Sequence, residues 1–141
     1  MSESPAAPRD IVADFYNAIS NADVDTIVRT IDTHFAEDAA IEWPPSLPHG
    51  GRVQGSRKLR AVFSATANPD APAGAKNLKL VRAIGDESEV AAWITFDWVN
   101  PGDETGTANQ ALELWSFADG KVREIRAFYW NTDAIGAPQR A

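Results

Sequence analysis

From Pro8 to Ser20 the large apolar residues Ile11, Phe15 and Ile19, with Val12 and Tyr16 beside them, recur at i,i+4 spacing. They share one face of an amphipathic helix. Asn21-Ala22-Asp23 interrupts it, and Asp23 is placed to cap a second helix in which Val24, Ile27, Val28 and Ile31 keep the helical period. The run Asp38-Ala-Ala-Ile-Glu-Trp43 predicts a strand halted by Pro44-Pro45, and the Pro- and Gly-rich stretch from there to Gly55 predicts a structured loop. Ser56 is placed to cap a third helix carrying Leu59, Val62 and Phe63. That helix must end before Asn68-Pro69, because a residue preceding proline disfavours the helical region. A Pro/Ala/Gly loop then runs to Gly74.

Beyond it the period becomes two. Leu78 to Ile84, Val90 to Val99, Thr107 to Phe117 and Val122 to Trp130 are rich in β-branched and aromatic residues, punctuated by Gly85-Asp86, Asn100-Pro101-Gly102-Asp103 and Asp119-Gly120. They predict a four-stranded antiparallel meander. Helices first and strands afterwards make an α+β domain in which about three helices cover one face of a curved antiparallel sheet. Alternation puts Ile94, Phe96, Trp98, Ala111, Glu113, Trp115, Ile125, Ala127 and Tyr129 on one face, and Trp93, Thr95, Asp97, Leu112, Leu114, Arg126, Phe128 and Trp130 on the other. Both faces are apolar, and the helices can cover only one. The second is expected to meet another copy of the chain in a homodimer.

Composition narrows the function classes. A chain of 141 residues with 44% hydrophobic residues is the size of one domain, expected at 9–136 between a disordered tail at 1–8 and a short tail at 137–141. Thirteen Lys+Arg against twenty Asp+Glu give a charge of −7, which repels phosphate backbones and anionic lipid, so neither nucleic acid nor membrane is an expected partner. The absence of cysteine excludes disulfides, a thiolate nucleophile and Cys-ligated metal, and makes no demand for an oxidising compartment. With an acidic, non-apolar opening segment, the cytoplasm is the expected location.

Phosphate-loop, dinucleotide, nucleophile-elbow and His-Glu-x-x-His motifs are all missing, and the only histidines, His34 and His49, fall on different predicted elements. No metal and no cofactor are expected. Arg52, Arg57, Lys58 and Arg60 read as a solvated helix start. Glu113 carries the chemistry: it lies between Leu112 and Leu114, and its own face holds Trp115 and Tyr129, so burial should favour the protonated acid. An inverted strand would instead turn it to solvent or pair it with Arg126 or Arg82. Trp43 and the proline-rich segment after it form a hydrophobic lip with one titratable group, His49, unless Trp43 fills core and His49 is a surface residue. Phe15 and Tyr16 are adjacent on the first helix, and a buried Tyr16 needs a partner for its hydroxyl.

Three segments carry a family resemblance: Phe15-Tyr-Asn-Ala-Ile-Ser-Asn-Ala-Asp-Val-Asp25, Phe35-Ala-Glu-Asp-Ala-Ala-Ile-Glu-Trp-Pro44, and Leu114 through Trp130. Over residues 9 to 136 the chain resembles the nuclear-transport-factor-2-like superfamily, in its SnoaL-like and ketosteroid-isomerase-like branch. The resemblance implies a cone-shaped sheet with helices on its concave face. It leaves the reaction open among isomerases, cyclases, hydrolases, dehydratases and proteins without catalysis. The ketosteroid isomerase pattern, a tyrosine on the first helix, a basic aspartate ending the first strand and a protonated aspartate on the third meander strand, falls here on Phe15 with Tyr16 adjacent, on Trp43 with Glu42 adjacent, and on Glu113. Two of these three positions depart from the pattern, which argues against steroid isomerisation. Ala127 replaces one aspartate of the limonene-epoxide-hydrolase set.

The resulting expectation is a pocket for a small hydrophobic, ring-bearing molecule. Phe15, Ile19, Trp43, Phe96, Trp98, Trp115 and Tyr129 would line it, and Glu113, Tyr16 and His49 would serve cofactor-free proton transfer. The alternative is a binding module of the same fold without catalysis.

Overall fold

The computed structural model describes residues 7–136; of the predicted tails, residues 1–6 of the first and all of 137–141 lie outside the described residues, and Pro8, expected in the first tail, is already helical. Helix α1 spans Pro8–Ser20, with proline in the first turn where its missing N–H costs nothing. Its two i,i+4 rows are all buried. Helix α2, Val24–His34, starts at Asp23, whose carboxylate accepts from Thr26 N at 3.1 Å. Strand β1, Phe35–Trp43, follows α2 directly and so begins three residues before the predicted Asp38.

The segment after Pro44-Pro45 is more ordered than a loop. After a turn it forms strand β2, Gly51–Gln54, antiparallel to β1. Helix α3, Ser56–Thr66, begins without the expected serine cap: Gly55 occupies the cap position at φ 110°, and its N–H donates to Ala39 O at 2.7 Å. Strands β3 (Gly74–Gly85), β4 (Glu89–Val99), β5 (Thr107–Ala118) and β6 (Lys121–Tyr129) form the predicted antiparallel meander.

The six strands form one sheet in the order β2-β1-β6-β5-β4-β3. The expectation of a wholly antiparallel sheet is corrected at one joint, because β1 lies parallel to β6. That pairing joins the first strand of the chain to the last, which no local signal in either strand encodes. Register shifts in β1, β3 and β5/β6 mark bulges that bend the strands, and the open mixed sheet is curved. Helix α1 packs on β3 and β4, and α3 packs on β1. The α+β arrangement of three helices on a curved sheet is therefore as expected.

Candidate functional site

Between the sheet and helices α1 and α3 lies a cavity of about 320 Å³. Its wall brings together Glu113, Tyr16 and His49 with Ile19, Trp43, Phe96, Trp98 and Tyr129. Phe15 and Trp115 are not in that wall. Phe15 is wholly buried, its ring packed on those of Phe35, Phe63 and Trp115 at 5.7, 4.8 and 5.2 Å between centroids. The i,i+4 rows put Phe15 and Tyr16 on one buried face but not on one line. Phe15 therefore points into the aromatic core, and it is Tyr16 that reaches Glu113.

Glu113 sits at the middle of β5 on the inward face, 7% exposed. Its cross-strand neighbours are Ala92 on β4 and Ala127 on β6, both buried. These two small side chains leave room over the sheet for the carboxyl group and for the phenol that descends from α1. Trp115 Nε1 donates to Tyr16 OH at 2.9 Å, and Tyr16 OH donates to Glu113 Oε1 at 2.5 Å. The polarity of this chain follows from its first member, since an indole nitrogen can only donate. Tyr16 accepts from it and passes its own hydrogen to Oε1. Among the described residues nothing bonds to Oε2, and Glu113 lines the cavity. A neutral Glu113 would carry its proton there.

Burial pushes the Glu113 carboxyl above the ordinary glutamate value, and the Tyr16 hydrogen bond opposes the shift. Burial, followed by the nearby Glu113 charge, holds the Tyr16 and Tyr129 phenols well above their usual value, so both stay protonated. The alternatives for Glu113 are ruled out by placement. Arg126 lies on the opposite face near Glu42 at 3.6 Å and Glu124 at 3.9 Å, and Arg52 joins the same surface group through Glu124 at 2.7 Å. Glu42, neighbour of the position that aligns with a catalytic base, is thus held outside.

His49 is half-buried. Its ring stacks on Trp98 at 5.1 Å, meets Trp43 edge-on at 5.4 Å, and places Nε2 3.0 Å from Tyr129 OH. Burial lowers its pKa, which favours the neutral imidazole. Its Nδ1 is buried with no hydrogen-bond partner among the described residues. Trp98 is oriented in turn by Asn100, which accepts from its Nε1 at 2.8 Å.

Sequence reasoning missed the part of the wall supplied by Val62, Phe63 and Thr66 of α3 and by Gly74 to Lys76 and Leu78. Phe63 and Leu78 were visible only as members of apolar patterns. Gly74-Ala-Lys-Asn77 carries no β-branched residue to announce a strand. Among the described residues, no group of three or more potential metal-ligating side chains converges. No described helix is long and apolar enough to cross a membrane.

A family model for the SnoaL-like domain matches residues 12–125, most of the chain. The chain belongs to the SnoaL-like family. No curated protein matches it. Solved structures similar to this SnoaL-like chain include a protein of unknown function with a cystatin-like fold from Methylobium petroleophilum (19% identity, 99% of this chain and 82% of that one, TM-score 0.66). An epoxide hydrolase of M. tuberculosis, described as limonene-epoxide-hydrolase-like, shares 19% identity over 94% of this chain and 86% of its own (TM-score 0.65). SalBIII, an epoxide hydrolase/cyclase-like enzyme in pyran ring formation in the polyether salinomycin, shares 23% over 87% and 90% (TM-score 0.61). At these identities the likeness establishes the fold of the SnoaL-like chain.

Proposed function

We propose that this SnoaL-like protein is a cofactor-free proton-transfer enzyme of the isomerase, cyclase or hydrolase type, acting on a small, largely apolar ring compound. One observation carries the reading: a buried carboxyl group, raised in pKa, is held by one oxygen through the Trp115–Tyr16 chain while its other oxygen is left for the cavity. An acid so placed exchanges a proton with a ligand carbonyl, enol or epoxide oxygen, or with the carbon beside it. The neutral phenol of Tyr129, diagonal to Glu113 on the neighbouring strand, supplies a second donor for developing negative charge. The activities named for the hydrolase and cyclase-like neighbours are chemistries of this kind.

The test is deuterium exchange at the carbons flanking the carbonyl of beta-tetralone, followed by NMR, together with opening of a cyclic epoxide, each across about pH 5 to 9. The expected result is catalysis that falls about a hundredfold in Glu113→Gln. Saturable tryptophan quenching by both compounds with no turnover at any pH would establish the rival reading, a binding module in which Glu113 only orients its ligand.

The proposal includes a homodimer through the outer sheet face. Leu112, Phe128 and Trp130 are exposed there beside the half-buried Trp93 and Leu114, and several of them border a shallow depression of about 380 Å³. It also includes a cytoplasmic location, in keeping with a chain that needs no disulfide.

A further inference from the structure

The strand directions order the cavity from rim to floor. Trp43 and Tyr129 end β1 and β6, Trp98 lies one residue from the end of β4, and Gly74 begins β3. With β1 parallel to β6, and β4 running the same way because β5 is antiparallel to both its neighbours, these positions lie at one edge of the sheet. Glu113 lies in the middle of β5. The aromatic collar of Trp43, His49 and Trp98 therefore surrounds the rim, and Glu113 sits deep.

Lys76 belongs to the rim. It is paired with Asp97 in register, one residue along from the Ala75–Trp98 pair, and it lines the cavity. Among the described residues it is the one lysine or arginine in the cavity wall. As a residue it is half-buried, and among the described residues no carboxylate lies within salt-bridge distance of its ammonium. Its contacts are two long ones to backbone carbonyls, Asn68 O and Pro69 O, each at 3.4 Å. The carboxylate of Asp97 is engaged instead by Asn77 Nδ2 at 2.9 Å. An ammonium at the mouth of an apolar cavity, with two long contacts to carbonyl oxygens and no carboxylate partner among the described residues, is placed to pair with an anionic group on an occupant of that cavity.

The register sets the span. Asp97, opposite Lys76, faces Ala108 on β5, and Glu113 lies five residues further on, roughly 17 Å of strand. An apolar wall that includes Ile94, Phe96, Phe63 and Leu78 belongs to the same cavity as both residues.

We propose that the ligand is a cyclic organic acid: its rings fill the apolar cavity, its anionic group pairs with Lys76 at the rim, and an uncharged oxygen at its far end meets Glu113 Oε2. This rests on the reading of the cavity as the ligand site and narrows the substrate class of that site. The test measures dissociation constants, by calorimetry on the full chain, for three probes. They are a biphenyl bearing a hydroxyl and a carboxylic acid at opposite ends, the methyl ester of that acid, and the biphenyl with the hydroxyl alone.

The acid is expected to bind about fivefold more tightly than its ester, and the preference should shrink as salt rises from about 0.05 to about 0.5 M. Lys76→Met should bring the acid-to-ester ratio to about one and Lys76→Arg should keep it, thermal unfolding confirming that each variant is folded. Glu113→Gln should weaken all three probes, each of which bears the hydroxyl, and leave the acid-to-ester ratio as it is. Equal binding of acid and ester, or a ratio that survives Lys76→Met, overturns the role of Lys76 while the cavity stands. Failure of all three probes to bind overturns the cavity as ligand site, and this proposal with it.

Discussion

Glu113 reads as an anomaly in the sequence, a lone acid between two leucines, and the structure supplies the reason it is tolerated. Ala92 and Ala127 make space for it, and Tyr16 satisfies one oxygen. Because its folded-state pKa lies above the unfolded value, its contribution favours folding below the ordinary glutamate pKa, about 4.3, and is lost as pH rises through the folded value. Glu113→Gln keeps an oxygen to accept from Tyr16 and removes the buried charge. The variant should therefore match the wild type in thermal unfolding near pH 4 and exceed it near pH 8. A variant less stable than wild type at the higher pH would show that the carboxylate is a structural partner. Tyr16→Phe removes the one donor to the Glu113 side chain among the described residues and takes away the acceptor of the Trp115 N–H. It should cost about 1–3 kcal/mol of unfolding free energy by urea denaturation. It should also move the Glu113-dependent limb of the pH–rate profile to higher pH, because the lost hydrogen bond was lowering that pKa.

At the scale of elements, periodicity located the three helices and the meander but missed β2 and the parallel joint. The turn into α3 shows why. Gly55 stands at φ 110° and ψ 129°, a conformation open only to glycine, and there it couples the end of β2 to Ala39 of β1. The serine beside it looked like a cap, and nothing in the local pattern distinguishes a capping serine from one already inside the helix. Gly55→Ala meets no neighbouring atom, so its cost is backbone strain alone, about 1–3 kcal/mol, read as a lower Tm with the fold retained. An unchanged Tm would mean that the turn readily adopts another conformation. The seven residues Pro44 to Gly50 are likewise a built segment: Leu47 is buried and its N–H donates to Pro44 O, and His49 is seated between Trp43 and Trp98.

At the scale of the molecule, the sheet has one face under the helices and one bare. On the bare face Leu112 is 49% exposed, Phe128 52% and Trp130 81%. Light scattering at micromolar concentration should give twice the 15.3 kDa of one chain, and the double substitution Leu112→Lys and Phe128→Glu should return it to the single mass without loss of fold. A wild-type reading of one chain mass would reject the dimer.

Legible in the sequence were the class of fold, the helical stripes and the two alternating strand faces; that Glu113 lies on the inward one was its expectation, with an inverted strand left open, and Glu113, Tyr16 and His49 were its candidates for chemistry. All of these follow from the two short periods, 3.6 and 2, and from the chemistry of single side chains. Only the tertiary structure decided that β1 lies parallel on β6, and that Tyr16 reaches the carboxyl while Phe15 and Trp115 stand behind the cavity. It alone brought Lys76, His49 and Tyr129 to one rim. Those are pairings between segments as many as 97 residues apart, Tyr16 with Glu113 among them, and they depend on how bulged strands curve and on which neighbour leaves room, quantities no local window contains.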